Sequence, residues 1–196
     1  MESVQLSFHE ESALRVEIYS LLAHLLRQVP EQPVLDWLAE LEMDQSSSTM
    51  AAAWQVLKLA AKTTSALAVE DEYQELFIGI GRGEIVPYCS WYLTGSLMEM
   101  PLAHLRRDLA QLGFQRTEST KEPEDHIAAL LEVMAMLVEG GDPHLQRSFF
   151  NRHIAVWFER LFTDMKAAKS AVFYSAVAEL ALQYLLVEKT RLIEVN

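Results

Sequence analysis

"KEPEDHIAALLEVMAMLVEGG", residues 121–141, carries the period on which the fold reading turns. Ile127, Leu130, Leu131, Met134 and Leu137 recur at three- and four-residue steps, which places apolar side chains on one face of an α-helix. Gly140-Gly141 ends the run. Pro123 suits the first helical position, where its missing N–H costs nothing. Glu124 and Asp125 would then complement the positive helix end, and His126 would bond a neighbouring backbone group. The cluster 122–126 can also be read as a working acidic surface, although the helix-start reading accounts for each residue by itself.

The same period extends outward in both directions. Upstream, Ser7 and Glu10 form a capping-box pattern ahead of Leu14, Ile18, Leu21, Leu22 and Leu25, and Pro30 stops that helix. Pro33 opens a second helix with Val34, Trp37, Leu38 and Leu41. "DQSSS" at 44–48 is a loop ending in a serine cap, followed by a helix with Met50, Trp54, Leu57 and Ala61 inward. Residues 69–77 read as a short helix presenting Tyr73, Leu76 and Phe77. "GIGRGEIVPYCSWYLTG", residues 79–95, has no helical period, and long irregular segments are disproportionately functional.

Helix returns with Leu102, Leu105, Leu109 and Leu112, and Gly113 is placed as a left-handed C-terminal cap. Downstream, Asp142-Pro143 caps a helix reaching Phe149 or so. Ile154, Trp157, Phe158, Leu161 and Phe162 form an aromatic-rich core face. A last helix spans about 171–192 with Phe173, Val177, Leu180, Tyr184 and Leu185 aligned. No strand or repeat stands out, and 7 Gly with 6 Pro leave little material for the turns of a many-stranded fold. The expectation is an all-α protein of about eight or more helices. The polar connection divides it into an N-terminal helical lobe (1–113, with the loop 79–95), a hinge (114–122) and a C-terminal helical lobe (123–196). Such a hinge permits a domain-swapped dimer as well as a monomer.

A formal net charge of -12 and a pI near 4.9 argue against a nucleic-acid partner, which needs clustered Lys and Arg, and either draw in a basic peptide or serve solubility alone. Cys89 is the only cysteine, so neither an internal disulfide nor a cysteine-based zinc cage can form. "MESVQLSFHEES" lacks the pattern of a secretory signal, and no apolar run is long enough to span a bilayer. The expectation is a cytoplasmic chain with no stable membrane insertion.

Enzyme chemistry finds little support. Gly79, Gly81 and Gly83 lack the remaining glycine, the preceding strand and the following helix of a dinucleotide loop. The six histidines include no i,i+4 pair, and although Glu122 and His126 could share a face, a metal needs further ligands. Cys89-Ser90 has no nucleophile elbow around it.

Read in order, the motifs resemble the TorD/DmsD family of redox-enzyme maturation chaperones. They are Tyr73-x-x-Leu76-Phe77-x-Gly79, Pro87-x-x-Ser90-x-Tyr92-Leu93, the helix "PLAHLRRDLAQLGF" with Leu105-Arg106 and Gly113, and Glu122-Pro123-x-Asp125-His126-Ile127. They cover roughly 70–137, and the N-terminal third carries no matching motif. The resemblance implies a compact all-helical bundle without catalytic turnover or cofactor of its own. It implies a cytoplasmic chaperone for a molybdenum-cofactor oxidoreductase of the DMSO or TMAO reductase type. Such a chaperone binds the apo-enzyme and its twin-arginine leader, assists cofactor insertion and delays export. The contact residues carried over are Tyr73, Pro87, Ser90, Trp91, Tyr92, Glu122, Pro123, Asp125 and His126, with Trp91 at a variable motif position.

The residue chemistry suits that reading. Two guanidinium groups prefer planar carboxylate partners, which Glu122, Glu124 and Asp125 supply. Pro87, Trp91 and Tyr92 can receive an apolar segment or stack on an arginine plane. The loop and the helix start must then meet in space. The rival readings are a general basic-peptide adaptor and a metal- or nucleotide-dependent helical enzyme.

Overall fold

A computed structural model describes residues 8–42, 47–115 and 122–193. It holds ten α-helices: α1 (Phe8–Arg27), α2 (Gln32–Glu40), α3 (Thr49–Thr63), α4 (Ala66–Tyr73), α5 (Cys89–Thr94), α6 (Met100–Gln111), α7 (Ile127–Glu139), α8 (Pro143–His153), α9 (Phe158–Ala167) and α10 (Phe173–Arg191). A π-helical turn, Gln74–Ile78, continues α4. Among the described residues the only β-type pairing is an isolated antiparallel bridge between Tyr88 and His126.

The all-α expectation is met because α7 and α10 are apolar on most sides, the mark of helices surrounded by protein. α7 buries Ile127, Leu130, Leu131 and Met134 completely or nearly so and lies along α1. α10 buries Phe173, Tyr174, Val177, Leu180 and Leu185, and packs on α3 and α9. The buried side chains form one core drawn from both sides of the 114–122 connection. Residues 116–121 of that hinge, and Ser7 of the capping box, lie outside the described residues.

Carboxylates far apart in sequence tie the helices together. Glu72 accepts hydrogen bonds from the N–H groups of Val172 (2.8 Å), Phe173 (2.9 Å) and Tyr174 (2.7 Å), capping α10 from another helix. Glu84 accepts from the N–H of Lys169 at 2.8 Å and from Ser170. Glu188, 1% exposed, takes a two-pronged bond from Arg15 (2.9 and 2.7 Å) and a third from the Tyr19 hydroxyl at 2.9 Å.

Several local expectations hold. Ser48 caps α3 through the Ala51 N–H (3.1 Å), Asp142 caps α8, and Gly113 adopts φ +78° after α6. Others are corrected. The 69–77 helix is α4 plus the π-turn, α8 runs on to His153, and Cys89–Thr94 is helical although six residues are too few to display a period. On α2 the buried residues are Leu35 and Leu38, whereas Trp37 is 51% exposed, and Leu14 of α1 is exposed too. Spacing alone could not choose between those faces.

The opening of α7 differs most. Pro123 is not at the first helical position: the helix starts at Ile127, and His126 is its N-cap with extended backbone. Asp125 and His126 are held out of helix, and Ile127 at its first position, by bonds to the loop. The Ile127 N–H donates to the Pro87 carbonyl (2.9 Å), and the Cys89 N–H donates to the Asp125 carbonyl (3.0 Å).

Candidate functional site

These backbone bonds bring the irregular loop and the acidic segment together. Asp125 reinforces the junction: its Oδ2 accepts from the Ser90 N–H at 2.8 Å, next to the N-terminal end of α5. Asp125 and Ser90 are both 0% exposed. Asp125 Oδ1 and Ser90 Oγ are buried without a hydrogen-bond partner among the described residues. His126 Nδ1 accepts from the Ala128 N–H at 3.1 Å, so the ring caps α7. Burial pushes the His126 ring down to about 4, which keeps it neutral near pH 7.

Tyr88 completes the junction. Its hydroxyl donates to Glu122 Oε1 at 2.9 Å, and its ring stands edge-on to His126 at 5.0 Å. Burial first, then the Glu122 charge, raises its phenol and keeps it a donor. Cys89 is buried beside it, and burial plus the Asp125 charge pushes its thiol up to about 12, far from the thiolate a nucleophile requires.

The nine residues singled out from sequence therefore divide by location. Pro87, Ser90, Asp125 and His126 are buried in the junction. Tyr73 is half-buried: its ring packs against Phe77 and Tyr174, and its hydroxyl donates to the Arg27 carbonyl at 2.9 Å. Trp91 and Tyr92 lie on α5, facing elsewhere. Arg82 sits 4.9 Å over the Trp91 ring, and Tyr92 stacks on Trp157 at 5.4 Å and hydrogen-bonds Asp164. Glu122 and Pro123 reach a partly open cleft.

That cleft has a volume of about 240 Å³ and lies between the end of α6 and the face of α7. Its walls are apolar at Leu109, Phe114, Pro123, Val133 and Met136, and acidic at Glu122, Glu124 and Glu132. Arg27 of α1 also lines it, bonding Glu132 through Nε (2.8 Å) and Nη2 (2.7 Å), with Nη1 3.9 Å from Glu122. Arg106, which does not itself line the cleft, donates from Nε (3.0 Å) and Nη2 (2.8 Å) to one oxygen of Glu124, Oε2. A shallower groove of about 420 Å³ continues along α1 and α7 past Val16, Ala135 and Glu139, sharing Arg27, Glu132 and Met136 with the cleft.

Sequence reasoning missed Tyr88, Arg27, Glu132 and Phe114. Glu132 left a signal, an exposed acid within the apolar run of α7. Arg27 left none, because only the packing of α1 on α7 puts it there. Among the described residues, no group of three or more His, Cys, Asp or Glu could hold a metal ion, and no helix is long and apolar enough to cross a membrane.

Comparison with known proteins gives consistent relatives. The nitrate reductase delta subunit family model matches residues 43–163. The chaperone protein TorD of Histophilus somni is 24% identical over 186 residues, spanning 87% of this chain and 94% of TorD. DmsD of Haemophilus influenzae, named as a Tat proofreading chaperone, is 32% identical over 121 residues, spanning 60% of this chain and 58% of DmsD. In fold, the chain is similar to a crystal structure described as a candidate redox enzyme maturation protein of Archaeoglobus fulgidus, with a TM-score of 0.58 and 18% identity over 95% of this chain and 99% of the other.

Proposed function

This chain belongs to the nitrate reductase delta subunit family, which includes the TorD chaperones, and from that membership we propose that it is a redox-enzyme maturation chaperone. Its client is a molybdenum-cofactor oxidoreductase of the DMSO or TMAO reductase type. It acts in the cytoplasm without turnover, holding the apo-enzyme and its twin-arginine leader until the cofactor is loaded.

One observation carries the reading: three carboxylates, Glu122, Glu124 and Glu132, border one cleft with apolar walls. A twin-arginine leader presents the complement, two guanidinium groups followed by an apolar segment. Planar carboxylates match guanidinium geometry, and the partly enclosed walls limit the screening that weakens exposed pairs. Leu109, Phe114, Val133 and Met136 offer the apolar part a surface, with methionine able to adapt to differing sequences. In this arrangement Asp125, Ser90 and His126 act from beneath, holding the loop to the start of α7 so that Glu122 keeps its place.

Calorimetry with a synthetic Arg-Arg leader peptide tests it. Binding should weaken at least roughly tenfold when the arginines become lysines, and again in Glu122→Gln/Glu132→Gln. Equal binding of unrelated basic peptides would favour the general adaptor instead. Co-expression with a client reductase should raise the cofactor-loaded fraction, and no rise would count against the maturation role.

A further inference from the structure

We propose that Arg27 and Arg106 are resident counter-ions of the cleft, which an incoming arginine pair must exchange with, and that this exchange sets its preference for arginine over lysine. The inference rests on the cleft being the leader site proposed above.

Three glutamates around one partly enclosed volume repel one another unless cations offset them. Arg27 does so from the cleft lining itself, and Arg106 through its bonds to Glu124. The Arg27 fork takes both oxygens of Glu132 and leans toward Glu122, so one guanidinium serves carboxylates of two different segments. Arg106 places two donors on Glu124. The backbone of Arg27 is pinned by Tyr73, but its side chain is 28% exposed and that of Arg106 is 53% exposed. Both forks can therefore swing into water on long flexible stems without disturbing the core.

Exchange discriminates by geometry. A guanidinium that replaces Arg27 restores two parallel N–H···O bonds to Glu132. An ammonium is a point charge and cannot form that fork, so lysine does not displace the resident group on equal terms. With Arg27 removed, lysine would meet a Glu132 carboxylate no longer held by that guanidinium and gain by simple Coulomb attraction. The signature residue Tyr73 then has a positioning role, acting on the cleft through Arg27.

The test uses the full chain, titrated with an Arg-Arg leader peptide and with its Lys-Lys counterpart. In Arg27→Met the Arg-Arg peptide should bind roughly tenfold tighter, and the Lys-Lys peptide should gain more, so the ratio between them shrinks. Arg106→Met should change both quantities in the same direction, which keeps the test open if Arg27→Met does not fold. Lys62→Met on α3 removes an equal charge at an exposed position that lines neither the cleft nor its adjoining groove, and should change affinity less than about twofold. In the unaltered protein the Arg27 Nε–H resonance should shift when the Arg-Arg peptide is added. An unchanged affinity and ratio in both arginine variants, or a control reproducing the gain, overturns the exchange while leaving leader binding intact. Failure of every form, unaltered protein included, to bind the Arg-Arg peptide overturns the leader site and the exchange with it.

Discussion

Asp125 Oδ2 accepts a 2.8 Å hydrogen bond from the backbone N–H of Ser90, thirty-five residues earlier in the chain, and neither residue is exposed. The bond fastens the irregular loop to the start of α7. Asp125→Ala leaves the Ser90 N–H buried without a partner and should cost about 1–3 kcal/mol. Urea unfolding at pH 7 measures it. If leader binding is lost in this variant, the loss should recover under conditions that restore the fold, because Asp125 does not line the cleft.

His126 makes stability depend on acidity. Its ring is neutral in the fold, depressed to about 4 chiefly by burial, with Arg27 adding to the effect. An unfolded histidine titrates near 6.5. The fold therefore has the full contribution above about pH 6.5 and loses it as pH falls toward 4. Between pH 7 and pH 5 the loss should be on the order of 2 kcal/mol. His126→Asn keeps a capping oxygen for the Ala128 N–H but cannot titrate, so its urea stability should fall less over that interval. Parallel pH profiles for the two proteins would show that the ring is not held neutral.

Gly83 packs against the π-turn. A Cβ there would come within 2.5 Å of the Leu76 carbonyl oxygen and the Phe77 carbonyl carbon, both backbone atoms. The neighbouring Ile85 N–H donates to that Leu76 carbonyl at 2.8 Å, so the backbone cannot easily retreat. Gly83→Ala should destabilise by about 2–4 kcal/mol. Thermal unfolding checks this, and Gly81→Ala is a useful comparison: open space surrounds its Cβ, although its φ of +88° brings some strain.

Glu188 lies within the core with Arg15, Tyr19 and Arg191 as partners. Glu188→Gln removes the charge but leaves the Arg15 guanidinium partly buried, which should cost about 3–5 kcal/mol. Replacing Arg15 and Glu188 with similarly sized apolar residues, and Tyr19 with Phe so that no buried hydroxyl loses its acceptor, should recover most of that loss. A double-mutant cycle of Arg15 and Glu188 in urea measures the coupling, and a large residual loss in the triple variant would mean the pair contributes more than mutual neutralisation.

Much of the architecture was legible because its causes are local. The three- and four-residue apolar steps of α7 and α10, Ser48 before α3, Asp142-Pro143 before α8 and Gly113 after α6 each act within one or two turns of chain. Face choice was less legible on short α2, where Leu35 rather than Trp37 is buried, because the partner surface decides it. The start of α7 misled for the same reason. Pro123 and two acids satisfy every local rule for a first turn, yet bonds to Pro87 and Cys89 move the helix start to Ile127.

By itself, then, the sequence determined the helical class and most helix ends, since these follow from side chains acting on their own backbone. Only the tertiary structure decided which of the candidate site residues line the cleft and which are buried beneath it. Hydrogen bonds across the chain took Asp125, Ser90 and His126 into the interior. The packing of α1 on α7 brought Arg27 to Glu132 across more than a hundred residues. Burial and charge pairing are properties of that assembled surface, and no spacing along the chain encodes them.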